Sequence, residues 1–256
     1  MAEEVLYEQA EGIGLATINK PKANQLSHGV FEGLRKILNA CSADKSVRVL
    51  VLTNSGDKIF SAGADLTSGF GDLGPLDFLK RGQDLNDKLE AMPIPVIAAM
   101  NGHAFGGGLE MAMACHFRFL KKSARVGLTE TNLGIIPGYG GTLRLPRLVG
   151  RAKAMEMMLL GQQIEAEEAL RIGLVHQVCE DDAVLSQALE LARKLAERPP
   201  LSVRRILKIV SMSPSMSPEQ HLKLEREALV ELFSTKDMIE GMTAFAQKRP
   251  PVFKGE

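Results

Sequence analysis

Two glutamates of this 256-residue chain stand in apolar company. Glu110 lies in residues 102–115, GHAFGGGLEMAMAC, with Leu109, Met111, Ala112 and Met113 around it. Glu130 lies in residues 127–141, GLTETNLGIIPGYGG, among small and apolar neighbours. A carboxyl withdrawn from water favours its neutral form, so its pKa rises and it becomes a usable acid or base near neutrality. Two such groups on one cleft can divide those roles. Each also has an ordinary alternative: Glu110 as a charge favouring a helix N-terminus, Glu130 as a solvated loop carboxylate.

Residues 106–108, three consecutive glycines, precede Glu110. The first turn of a helix has N–H groups without intrahelical partners, and glycine lets another molecule approach them closely. Such a turn can present donors to an oxygen that becomes negative; tight packing of helix on strand is the competing reason for glycine. A second turn of small residues, Gly63 and Ala64, lies in IFSAGADL, residues 59–66. One backbone donor from each turn would make an oxyanion hole, while an ordinary loop is the alternative. His103 and His116 flank the glycine helix, and each is expected to serve as a structural hydrogen-bond donor.

The elements that must position these groups follow from periodicity. Strands are expected at 5–9, 14–19, 48–55, 95–102, 117–122 and 124–130, with helices at 29–41, 76–92 and 109–115 between them. That alternation of strand, turn and helix predicts an α/β fold. Beyond residue 140 the pattern turns helical, at 141–150, 152–161, 165–173, 183–197, 201–210, 218–233 and 238–249, interrupted by one strand at 174–179. The natural division is an α/β core over 1–195 and a helical region over 196–256. Residues 67–75, TSGFGDLGP, read as a surface loop.

Composition narrows the classes. Lys+Arg and Asp+Glu both number 31, so no overall basic field recruits nucleic acid. Cys41, Cys115 and Cys179 are far apart, with no metal-ligand spacing and no disulfide framework, as expected of a reducing compartment. The acidic start resembles neither a secretory signal nor a transit peptide, and no apolar run is long enough to span a bilayer. A soluble cytoplasmic protein is expected, without metal or membrane. Phosphate-loop, HExxH and GxSxG motifs are absent, and GIGLAT at residues 12–17 is a poor dinucleotide signature.

Six segments, in order, resemble the enoyl-CoA hydratase/isomerase (crotonase) superfamily over essentially the whole chain. They are INKPKANQLS (18–27), VRVLVLTNSGDKIFSAGADL (47–66), IPVIAAMNGHAFGGGLEMAMAC (94–115), LGIIPGYGGTLRLPRLVG (133–150), GLVHQV (173–178) and EGMTAFAQKRPPVFKG (240–255). The resemblance implies a spiral of repeated ββα units, closed by a helical C-terminal region that builds trimers or dimers of trimers. It implies an acyl-CoA thioester as substrate and partner, with coenzyme A entering as part of that substrate and no separate cofactor. It puts the oxyanion hole on the N–H groups of Ala64 and Gly107 and the chemistry on Glu110 and Glu130. It puts coenzyme A against Ala62, Ala64, Asp65 and Leu66, with Phe245 and Lys248 reaching the CoA of the same or a neighbouring subunit.

The hydratase branch carries both glutamates, and isomerases commonly keep only the second. Hydration of a trans-2-enoyl-CoA to a 3-hydroxyacyl-CoA is therefore the expected reaction. A Δ3-Δ2-enoyl-CoA isomerase, a non-catalytic RNA-binding relative and a purely structural trimer are the alternatives. Many relatives carry aspartate where this chain has His116, which bears on the substrate accepted.

Overall fold

The computed structural model describes residues 3–65 and 74–256. Leu66 and most of the expected glycine-rich loop lie outside the described residues. The chain winds as a spiral. Its first turn is β1 (Val5–Ala10), β2 (Ile13–Ile18) and α1 (His28–Ala43); its second is β3 (Val49–Asn54), β4 (Ile59–Ser61) and α2 (Gly74–Glu90). The third is β5 (Val96–Met100), β6 (His103–Phe105) and α3 (Gly107–Ala114), and the fourth opens with β7 (Phe117–Lys121) and β8 (Arg125–Gly127). From the second turn on, the first strand of each pair joins one sheet and the second strand joins another. The larger sheet runs β1-β2-β3-β5-β7-β10, with β10 at Gln177–Cys179; the smaller runs β4-β6-β8-β9, with β9 at Gln163–Glu165. All neighbours are parallel except β1 with β2 and β8 with β9.

The sequence explains why the large sheet lies inside. Every residue of β3, VLVLTN, and of β5, VIAAM, is buried, the continuous apolar pattern of parallel strands covered on both faces. Alternate residues face opposite ways. Leu50, Leu52, Val96 and Ala98 face the main core with α1, α2 and α3. Val49, Val51, Ile97 and Ala99 face the other side, against Ala188 and Ala192 of α7 (Val184–Ala196).

Between the spiral and that cover come α4 (Gly141–Val149), α5 (Arg151–Leu160) and α6 (Ala166–Arg171). After α7 the chain continues through α8 (Pro200–Met212), α9 (Pro218–Leu232) and α10 (Lys236–Gln247). These last helices bury little: among their described side chains, α8 has no fully buried residue and α9 only Ala228. Among the described residues no helix is long and apolar enough to cross a membrane.

Three short strands were not expected from sequence. β4, β6 and β9 have three residues each, too few for a period of two to declare itself. The strand expected over 124–130 ends at Gly127, and a 3-10 turn over Glu130–Leu133 follows. Along 174–179 only the last three residues pair as a strand.

Candidate active site

The short strands set the geometry. β4 ends at Ser61 and leads into the Gly63–Ala64 turn, and β6 ends at Phe105 and leads into Gly106 and α3. Because β4 and β6 pair in parallel, with a register shift between Ile59 and Ser61, the two turns meet. Gly63 has φ +91, and a Cβ there would lie 3.0 Å from the Gly107 amide nitrogen. Leu26 bridges the first turn: its N–H donates to the Gly63 carbonyl at 2.8 Å and its carbonyl accepts from Asp65 at 3.3 Å. In a parallel bridge that pattern turns the N–H of the central residue, Ala64, to the other side. Among the described residues neither the Ala64 nor the Gly107 N–H has a hydrogen-bond partner.

Each glycine of 106–108 has its own reason. Gly106 has φ 49, and a Cβ there would lie 2.9 Å from Glu130 Oε1. A Cβ on Gly107 would lie 2.7 Å from the Tyr139 ring, and one on Gly108 would run into the Ser61 backbone. Close packing and an open first-turn donor thus hold together; they are not alternatives.

Glu110 sits in the first turn of α3, only 1% exposed. Its Oε1 accepts from the Tyr139 N–H at 2.8 Å and from the Gly141 N–H at 2.6 Å. Burial pushes its carboxyl up to about 7, with the neighbouring Glu130 charge adding to the rise and the two amide bonds opposing it. Glu130 opens the 3-10 turn after β8; burial raises its carboxyl too, and its Oε2 is buried without a partner. Glu110 thus combines a helix-end position with near-complete burial, and Glu130 is buried rather than solvated.

One pocket brings these groups together. Its lining includes Ala62, Gly63, Ala64, Gly107, Glu110 and Glu130. The apolar wall comes from Phe78 and Leu79 of α2, Tyr139, and the loop residues Leu133, Ile135 and Ile136. The last three are 67%, 47% and 72% exposed, which marks the mouth. Two adjacent unpartnered amides can hold a developing oxyanion, and two desolvated carboxyls beside them can move protons.

Other expected site residues lie elsewhere or are otherwise engaged. Asp65 is buried and bonded to Lys20 Nζ at 2.8 Å. The Ala62 N–H donates to the Ala23 carbonyl at 3.0 Å. Leu66 is outside the described residues. Phe245, 85% exposed, and Lys248, the C-cap of α10, do not line the pocket of their own chain. His103 and His116 are structural but accept rather than donate: His103 Nδ1 takes the Arg125 N–H at 2.8 Å and His116 Nδ1 the Val96 N–H at 2.9 Å. Among the described residues, His116 is not part of the pocket lining.

Sequence reasoning missed the amides of Tyr139 and Gly141 that hold Glu110, and the wall at 133–136. The signal for the wall was present: adjacent isoleucines followed by Pro-Gly, outside any amphipathic period.

Among the described residues no group of three or more His, Cys, Asp or Glu could hold a metal ion.

The profile of the family Enoyl-CoA hydratase/isomerase matches residues 8–256. A Bacillus subtilis protein called probable enoyl-CoA hydratase is 44% identical over 248 residues, covering 95% of this chain and 96% of its own. A crotonyl-CoA hydratase of Syntrophomonas wolfei is 37% identical over 254 residues, covering 98% of each. The crystal structure of an enoyl-CoA hydratase from Bacillus anthracis superposes with a TM-score of 0.95 at 38% identity, over 99% of this chain and all of that one. With fold, motif order and whole-length similarity in agreement, the chain belongs to the enoyl-CoA hydratase/isomerase (crotonase) family.

Proposed function

We propose that this protein adds water reversibly across the 2,3 double bond of a trans-2-enoyl-CoA. The observation that carries the reading is one apolar pocket lined by two unpartnered amides and two desolvated carboxyls. The difficulty of the reaction is negative charge on the thioester oxygen as C3 is attacked. The Ala64 and Gly107 N–H groups hold that charge, and such donors are worth roughly 3–4 kcal/mol each. Ionised Glu110 takes a proton from water as its oxygen bonds to C3. Protonated Glu130 gives its proton to C2, so one molecule of water is added and the two carboxyls exchange protonation states. Proton exchange with solvent restores them.

Two acids favour hydration over the isomerase reading, which needs only one. Coenzyme A would run past Ala62 and Asp65, with no cofactor beyond it. Assembly as a trimer or a pair of trimers belongs to the same proposal. It is supported by the apolar residues that α8–α10 leave exposed, Ile206, Val210, Val230 and Phe233 among them. Phe245 and Lys248 would then meet the CoA of a neighbour. Three buried, unpaired cysteines suit a reducing cytoplasm.

The test is a panel of 2-enoyl and 3-enoyl thioesters, followed by the conjugated thioester absorbance and read against pH. Crotonyl-CoA should lose absorbance on hydration. Its kcat/KM should fall as pH drops through about 7, where the Glu110–Glu130 pair takes up a further proton and the base is lost. Activity on the 3-enoyl thioester alone would replace hydratase by isomerase.

A further inference from the structure

The pocket lies beyond the ends of β4 and β6. At the opposite end of the spiral, where the chain enters β3 and β5, there is a second cavity of about 100 Å³. It is bordered by the turn after α1, the residues before β3 and β5, the start of α8 and the C-terminal segment. Four cationic residues are part of its lining: Lys45, Arg48, Arg204 and Lys254. Among the described residues none of the four is in an ion pair. Two acids lie close by: Asp44, in the cavity lining, and Glu256, whose carboxyl is lowered by its bond to Lys236 and also by the charges of Lys254 and Lys45. Asp44 Oδ1 accepts from the Ser46 N–H at 2.8 Å, and Glu256 Oε2 from Lys236 Nζ at 2.8 Å.

Arg48 is the centre of the cluster. Its Nη2 donates to the Phe253 carbonyl at 3.3 Å, and its Nη1 is buried with no partner. A guanidinium carries five donors in a fixed plane, and a charged donor left dry and unpaired is costly. Nη1 is closed to solvent as it stands, so a dianion with several oxygens in the cavity would meet it once the guanidinium turns toward that space. Size limits what enters: a cavity of about 150 Å³ admits a molecule like benzene, so this one suits a single phosphate group.

We propose that this cavity binds a small phosphate-type dianion, held by Arg48 with Lys45, Arg204 and Lys254 around it. The bound anion would tie the C-terminal segment, through Lys254, to the start of β3. The proposal does not depend on the hydratase reading.

Titration calorimetry of the full chain tests it, with inorganic phosphate added at constant ionic strength against a chloride control and no coenzyme A present. One saturable site per chain is expected, weakened at least about tenfold by Arg48→Gln, because a bidentate charge-assisted contact is lost. A parallel titration with glycerol phosphate identifies the source: binding of both marks a phosphomonoester, binding of phosphate alone the free anion. Phosphate heats no larger than the chloride control, or a site whose affinity survives Arg48→Gln, would overturn the proposal. Should Arg48→Gln fail to fold, the double variant Arg204→Gln/Lys254→Gln changes only exposed side chains. It must lower phosphate affinity by a similar factor, and unchanged affinity would overturn the proposal equally.

Discussion

Two buried clusters of ionisable groups lie close to α3, one involving its first turn and one just after its last, and both are strongly perturbed. One is the pair Glu110 and Glu130. The other follows α3 directly: Cys115, His116 and Arg118, with His176 beside them. There burial pushes the Cys115 thiol up to about 12, brings His116 and His176 down to about 4, and lowers Arg118 to about 10. Perturbation alone would mark either as a functional site. Their hydrogen bonds separate them. Arg118 gives Nε to the Leu174 carbonyl at 2.7 Å and Nη1 to the Cys115 carbonyl at 2.6 Å. His176 Nδ1 accepts the Arg118 N–H at 3.2 Å. Arg118 and His176 thus close on backbone groups, and His116 Nε2 is left buried without a partner and away from the pocket lining. The glutamates face a pocket that also holds two amides without partners. A perturbed group indicates chemistry when unused hydrogen-bonding capacity meets an accessible space.

The largest effect is expected at the glutamates. Glu110→Gln and Glu130→Gln should each lower crotonyl-CoA turnover by at least about a hundredfold, while crotonyl-CoA binding measured by calorimetry survives. Glutamine keeps an acceptor for the Tyr139 and Gly141 amides, so the loss is chemical and not structural. Near-normal hydration in either variant would remove that residue from the mechanism. The two carboxyls interact, so the wild-type pH profile reports the pair and not two separate residues.

Arg118 should show the reverse pattern. Arg118→Ala leaves the Leu174 and Cys115 carbonyls buried without a donor, which costs roughly 2–5 kcal/mol of stability. For a chain of this size that lowers Tm by about 5–15 °C, measurable by calorimetry. Below the new Tm, kcat and KM for crotonyl-CoA should stay within about twofold of the parent. A large fall in kcat with Tm intact would make the second cluster part of the site.

The same distinction explains what was legible in the sequence. The α/β alternation, α1, α2 and the buried β3 and β5 declare themselves by period over many residues. The three-residue strands β4, β6 and β9 do not, yet β4 and β6 bring Ala64 next to Gly107. Composition pointed to Glu110 and Glu130 as carboxylates among apolar residues. It could not show that Tyr139 and Gly141 hold Glu110, because that contact crosses 29 and 31 positions through backbone amides, which carry no residue signature. Phe245 and Lys248 belong to a helix face that a single chain leaves in solvent, so their reading depends on a neighbour.

His116 gives the smallest effect and the finest test. Its Nδ1 accepts from the first amide of β5, and its Nε2, buried without a partner, lies by the Glu90 backbone. An asparagine or aspartate oxygen reaches nearly the position of Nδ1, which gives a physical reason why aspartate and histidine can exchange here. His116→Asn should therefore keep the bond to Val96 and leave kcat/KM on each enoyl-CoA of the panel within about threefold of the parent. His116→Ala removes that acceptor and should cost roughly 1–2 kcal/mol of stability, again with the ranking of acyl chains unchanged. The sensitive readout is that ranking and not the absolute rate. If either variant reorders the preferred acyl lengths, the packing behind α3 reaches the pocket after all, and the two clusters have to be treated as one.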